Sequence, residues 1–242
     1  MYISSVNNDY IKEISKLNEK KYRDKLNKYL IEGLHLVNET LKYDIIDTII
    51  IREDFEYKTN NKYIIVSKEV MKKLSDNPSV PKIMAVVNKK ESNICGNKIL
   101  LLDRLQDPGN LGTIIRSAVA FNFNTIVLSN DTVDLYNSKV LRSTQGMLFN
   151  INIVRDDLIN VISYLKDNNY IIYGTKVSNG IDVKLINNNS KLALIIGNEG
   201  TGISDNILSL CDKYLYIKMN NNCESLNAGV AASILMYEMG NK

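Results

Sequence analysis

Cysteine and histidine are scarce in this chain of 242 residues, and their scarcity removes whole classes of chemistry. Three cysteines, Cys95, Cys211 and Cys223, stand far apart. No pair has metal-ligand spacing, and the single histidine, His35, cannot complete a site with them. No metal is expected. An odd, scattered set of thiols makes no disulfide framework and fits a reducing compartment. Long apolar runs are also missing: none approaches the roughly 20 residues of a membrane span. Residues 1–9 lack the basic region and apolar run of a signal peptide. The expectation is a cytoplasmic protein with no membrane partner. A strong charge of one sign is absent too. Thirty Lys and Arg against 27 Asp and Glu leave +3, which neither demands nor excludes nucleic acid.

What is present suits a folded α/β protein. The hydrophobic fraction is 45%, and a chain of this length buries roughly 70% of its unfolded surface. Residues 10–30 read as a polar helix carrying the run Lys20-Lys21-Tyr22-Arg23-Asp24-Lys25-Leu26-Asn27-Lys28. Such a run is ordinarily a solvated face; it is also the kind of cluster that contacts phosphate. Strands are expected over 29–32, 45–51, 63–66 and 83–87, with a helix over 68–74 capped by Ser67. The polar stretch 88–93 reads as a linker. Beyond it, strands over 99–102, 125–128, 170–173, 192–196 and 214–219 alternate with helices over 110–121, 138–145, 156–167, 203–210 and 226–238. Alternation of this kind predicts a mostly parallel sheet with helices on both faces, and ligands at the C-terminal ends of its strands.

Three segments fall at such ends. The first is Asp107-Pro108-Gly109-Asn110-Leu111-Gly112 with Arg116. Pro108-Gly109 makes a turn, and Asn110 is placed to cap the helix that follows. The second is Gly197-Asn198-Glu199-Gly200-Thr201-Gly202. Its glycine order is neither that of a dinucleotide fingerprint nor that of a P-loop, and Glu199 would repel phosphate. That order disfavours a nucleotide-dependent dehydrogenase. The third is Ser225-Leu226-Asn227-Ala228-Gly229-Val230-Ala231-Ala232, where Ser225 is the expected cap of a small-residue helix.

In this order and spacing the segments resemble the three motifs of the SpoU/TrmH family of RNA ribose 2′-O-methyltransferases, within the SPOUT superfamily. Lys139-Val140-Leu141-Arg142-Ser143-Thr144-Gln145-Gly146 is also similar to that family. The resemblance spans 97–242. Residues 1–92 resemble the small α/β RNA substrate-binding domain that many members carry, on Lys21, Arg23 and 29–33. Two positions depart from the family pattern: Lys218 stands where proline is usual, and Ala228-Gly229 where Val-Ser is common. Both leave Ser225 and Asn227 in place.

The resemblance implies a smaller N-terminal α/β RNA-binding domain, a SPOUT domain with a C-terminal trefoil knot, a homodimer and S-adenosyl-L-methionine as cofactor. It implies catalytic roles for Arg116, Asn110, Glu199, Ser225 and Asn227. Cofactor contacts are expected from Thr175, Gly197, Gly202, Ile217, Met219, Leu226 and Asn227. RNA contacts are expected from Lys20, Lys21, Arg23, Lys25 and Arg142. Arginine stays protonated, so Arg116 is expected to stabilise the developing alkoxide and hold the neighbouring phosphate. Ribosomal RNA is favoured over tRNA, because the extra domain resembles one common in rRNA-modifying members. A non-catalytic RNA-binding SPOUT protein and a base methyltransferase are the competing readings.

Overall fold

The computed structural model describes residues 1–186, 191–220 and 222–240, so the last two residues of the expected second domain lie outside it. The chain forms two compact units: 1–90 with 134–149, and 91–133 with 150–242.

The first unit holds a five-stranded sheet of order β1-β4-β3-β5-β2, where β1 is Tyr2–Ile3, β2 Lys28–Glu32, β3 Ile46–Arg52, β4 Tyr63–Val66 and β5 Ile83–Asn88. Strands β3 and β4 pair parallel, while β5 runs antiparallel to both β2 and β3. Helix α1 (Asp9–Ser15) contributes Ile11 and Ile14 to a core shared with Ile50, Met71 and Met84. The expected helix over 10–30 is interrupted. A 3-10 turn at Lys16–Asn18 separates α1 from α2 (Lys20–Leu26), and Asn27 turns left-handed at φ 51° to release the chain into β2. Asparagine tolerates that conformation because its short amide bonds locally. Helix α3 (Leu34–Thr40) follows β2, and α4 (Lys68–Leu74) starts where Ser67 accepts from the Val70 amide, the cap read from sequence.

Residues 134–149, read from sequence as part of the second domain, pack within the first unit. Tyr136 stacks on Tyr29 with ring centroids 4.4 Å apart, and α6 (Ser138–Thr144) lies against β2. Arg23 pairs with Asp134 at 2.6 Å and donates to the carbonyls of Leu17 and Asn18. This corrects the assignment of Arg23 to RNA: it is 7% exposed and committed to the fold. Lys20, Lys21 and Lys25 are exposed.

The second unit holds a seven-stranded sheet of order β10-β12-β9-β11-β6-β7-β8. Its strands are β6 (Lys98–Leu102), β7 (Thr125–Leu128), β8 (Asn152–Arg155), β9 (Ile171–Thr175), β10 (Ile181–Asp182), β11 (Leu192–Ile196) and β12 (Lys213–Tyr216), and every pairing is parallel. Alternation along β6 sends Ile99 and Leu101 to the face covered by α7 (Leu158–Asp167), with Leu100 and Leu102 opposite. Helices α5 (Pro108–Ala120) and α9 (Ala228–Gly240) pack on each other, pinned where Ser117 meets Ser233 at 2.7 Å. Two expectations shorten. The strand read over 214–219 ends at Tyr216, and the helix read over 203–210 is only α8 (Asp205–Leu208).

Candidate active site

Strands β6 and β11 are parallel neighbours with Leu102 opposite Ile196, so the loops that follow them leave the sheet side by side. Side chains lock these loops together. Asp103, 3% exposed, accepts from the Ser204 amide at 2.7 Å and the Ser204 hydroxyl at 2.8 Å. Asn198 Nδ2 donates to the Arg104 carbonyl at 2.8 Å. Glu199 accepts from the amides of Gln106 and Asp107, at 3.1 and 2.9 Å, and from Asn110 Nδ2 at 3.1 Å. Partial burial pushes the Glu199 carboxyl up. The bonds from Asp107, Asn110 and Gln106 outweigh that and hold it below the usual carboxylate range. A lone carboxylate at the end of an apolar strand is the one sequence signal that marks Asp103; its partner Ser204 had none.

The cap of α5 differs from expectation. Asp107, not Asn110, accepts from a free helix amide, at 2.8 Å, and Pro108 occupies the first turn where its missing N–H costs nothing. Asn110 lies inside that turn, 7% exposed, with its amide directed to Glu199. The cap of α9 differs too. Asn227 Oδ1 accepts from Gly229 at 3.0 Å and Val230 at 3.2 Å, while Ser225 stands outside the helix. A Cβ on Gly229 would lie 3.2 Å from Asn227 Oδ1 and 3.3 Å from Asn110 Oδ1. A hydrogen there lets the third segment close on the first. The three sequence segments thus meet through Asn110.

Beside them lies a cleft of about 660 Å³, within the range of small-molecule sites. Thr175, Gly197, Gly202, Ile217, Met219 and Leu226 line it, with Glu199 and Ser225. Asn110, which is buried, and Asn227 and Arg116, which are exposed, do not. Arg116, on the outer side of α5, is exposed and makes no hydrogen bond or ion pair among the described residues. Arg142 lies in the first unit, its Nη1 buried without a hydrogen-bond partner among the described residues.

The glycine loop is closed by paired bonds between Asn198 and Gly202, at 3.0 and 2.9 Å. A Cβ on Gly197 would stand 2.2 Å from the Gly202 carbonyl carbon, so only glycine fits. Ile196, Ile203, Leu208 and Leu215 give the cleft an apolar wall, and Glu199 and Asp205 give it negative charge. An apolar wall, close-set backbone groups and carboxylates fit a flat nucleoside bearing positive charge. No three His, Cys, Asp or Glu side chains gather as metal ligands among the described residues.

Known proteins match this chain over nearly all of its length. The SpoU rRNA Methylase family matches residues 97–237, and the MRM3-like substrate binding domain matches 8–85. A Bacillus subtilis protein, 23S rRNA (guanosine(2553)-2'-O)-methyltransferase RlmP, is 37% identical over 98% of each chain. Among solved structures, an AdoMet-bound rRNA methyltransferase from Sinorhizobium meliloti superposes with a TM-score of 0.87 at 25% identity, covering 98% of this chain and 96% of that one. An RNA 2'-O ribose methyltransferase superposes with a TM-score of 0.83 at 27% identity, covering 98% and 97%. With that match, and with its three strand-end segments joined at one cleft, the chain belongs to the SpoU rRNA methylase family.

Proposed function

We propose that this enzyme transfers the methyl group of S-adenosylmethionine to a ribose 2′-hydroxyl of ribosomal RNA. The observation that carries the reading is the convergence of Asn110, Glu199, Asn227 and Gly229 beside the glycine-walled cleft. The rRNA substrate follows the relative from Bacillus subtilis.

The cofactor supplies a methyl group activated by its sulfonium charge. The chain's residues do the rest. Backbone groups of Gly197, Ile217 and Leu226, with Thr175, Gly202 and Met219 around them, hold the adenosine. Thr175 is itself fixed by donating to the Ile195 carbonyl at 3.0 Å. Holding hydroxyl and methyl close and in line contributes ~7–11 kcal/mol in favourable cases. Arg116, permanently cationic and uncommitted within the described residues, lowers the energy of the alkoxide as it forms and holds the adjacent phosphate. Glu199, Asn110, Asn227 and Ser225 position the loops around it.

Lys20, Lys21 and Lys25 form the RNA-facing charge of the first unit. The Tyr22 ring beside them lies within 5.5 Å of Lys16 Nζ and 5.8 Å of Lys21 Nζ, a pairing of aromatic and cation that suits unpaired bases. Arg142, half-buried in the first unit, is a further RNA contact in this reading.

A second copy of the chain covers the exposed apolar side chains Val230 and Tyr237 of α9, making a homodimer. The trefoil knot belongs to the same proposal: β12 inserts between β9 and β10, and α9 folds back on α5. No helix of the described residues is long and apolar enough to cross a membrane. We place the enzyme in the cytoplasm, with its RNA. Mapping ribose methylation in rRNA from cells with and without this gene tests the assignment. One 2′-O-methyl mark should vanish with the gene; an unchanged map, or the loss of a base methyl instead, overturns it.

A further inference from the structure

The cleft carries two acids, Glu199 and Asp205, and among its described lining residues one cation, Lys176. S-adenosylmethionine carries the opposite set: a sulfonium, an ammonium and one carboxylate. Lys176 follows directly on β9, its amide donating to the Leu215 carbonyl at 2.9 Å. Its ammonium sits 3.7 Å from the centroid of the Tyr214 ring. That ring is itself fixed, because its hydroxyl donates to the Leu208 carbonyl at 3.0 Å. Lys176 makes no ion pair among the described residues, so its charge is held but not neutralised.

We propose that Lys176, steadied on the Tyr214 ring, is the counter-charge for the carboxylate of the cofactor's amino-acid end. The inference rests on the reading of the cleft as the S-adenosylmethionine site. The physical reason is preorganisation. A lysine loses rotamer freedom when it pairs, and the ring contact has already removed part of that freedom before the ligand arrives. A cation over an aromatic face is attracted by the ring quadrupole yet keeps donors for an oxygen ligand. The carboxylate is also what separates the intact cofactor from nucleosides that share its adenosine but lack the amino-acid end. Lys176 would therefore set selectivity among adenosine compounds and take no part in the methyl transfer.

Ligand truncation tests this on the full-length protein by calorimetry. The probes are S-adenosylmethionine, its decarboxylated form, which keeps the sulfonium and the amine, and 5′-methylthioadenosine. Lys176→Gln should weaken S-adenosylmethionine roughly three- to tenfold and leave the two truncated ligands within about twofold. Lys176→Arg should restore most of the loss, and Tyr214→Leu, which frees the lysine, should cause a smaller loss with the same ligand dependence. Equal weakening of all three ligands by Lys176→Gln would make the side chain a general support of the wall and overturn the proposal. So would unchanged S-adenosylmethionine affinity, including the case where only RNA affinity falls. Failure of the wild-type protein to bind S-adenosylmethionine would instead sink the reading of the cleft, and shows before any variant is made.

Discussion

Glu199 sits where two opposed influences meet. Partial burial raises its carboxyl, and bonds from Asp107, Asn110 and Gln106 lower it further than burial lifts it. A carboxylate depressed by folding adds stability above its ordinary range, and that stability is lost as pH falls through the depressed value. Glu199→Gln should therefore lower the melting temperature at neutral pH, and the gap to wild type should narrow below about pH 4. A gap independent of pH, measured by thermal unfolding, contradicts this role. Asp107 and Asn110 should separate in the same way. Asp107→Ala removes the α5 cap and should cost about 1 kcal/mol in denaturant unfolding. Asn110→Ala leaves the cap intact and should act on turnover more than on stability. Among site residues, Gly197, Gly202, Asn110, Glu199 and Asn227 were legible because motif order puts them at strand ends. The cross-links Asp103 to Ser204 and Asn198 to Arg104 were not. They join positions about a hundred residues apart, and only the pairing of β6 with β11 makes them neighbours.

At the scale of elements, local signals sufficed wherever they were strong. Ser67 before an apolar helical repeat gave α4 to the residue, and β-branched runs gave β4, β7 and β11 with correct bounds. What failed lacked such signals. Strand β8 is half-buried at every position and shows no alternation, and β1 and β10 are two residues each. Their pairing comes from neighbours in the sheet. Helix caps were misplaced by a few residues at α5 and α9, because Asp, Asn and Ser all cap and several stand in sequence there. The glycine loop supplies the element's own prediction. Gly197→Ala forces a Cβ into the Gly202 backbone and should weaken S-adenosylmethionine at least about tenfold by calorimetry. Affinity kept within twofold would mean the loop does not shape the site.

For the whole molecule, the basic run 20–25 divides into two jobs that sequence alone merged. Arg23 holds the first unit together through Asp134, and Arg23→Met should cost about 3 kcal/mol of stability by leaving that carboxylate unpaired. Alanine at Lys20, Lys21 and Lys25 should leave stability within about 0.5 kcal/mol. It should weaken RNA binding and flatten its salt dependence, the logarithmic slope falling by roughly 0.7–0.9 for each phosphate no longer neutralised. The segment 134–149 was read with the second domain because the family resemblance spans 97–242, whereas aromatic stacking and an ion pair tie it to the first unit. Burial of a charged side chain is not encoded in a run of similar charges. The most direct test of the catalytic account joins two readings on one variant, Arg116→Ala: ribose methylation of rRNA from cells lacking the gene, and S-adenosylmethionine affinity. Transfer should fall at least about a hundredfold, with affinity within several-fold of wild type; transfer near the wild-type rate would contradict it.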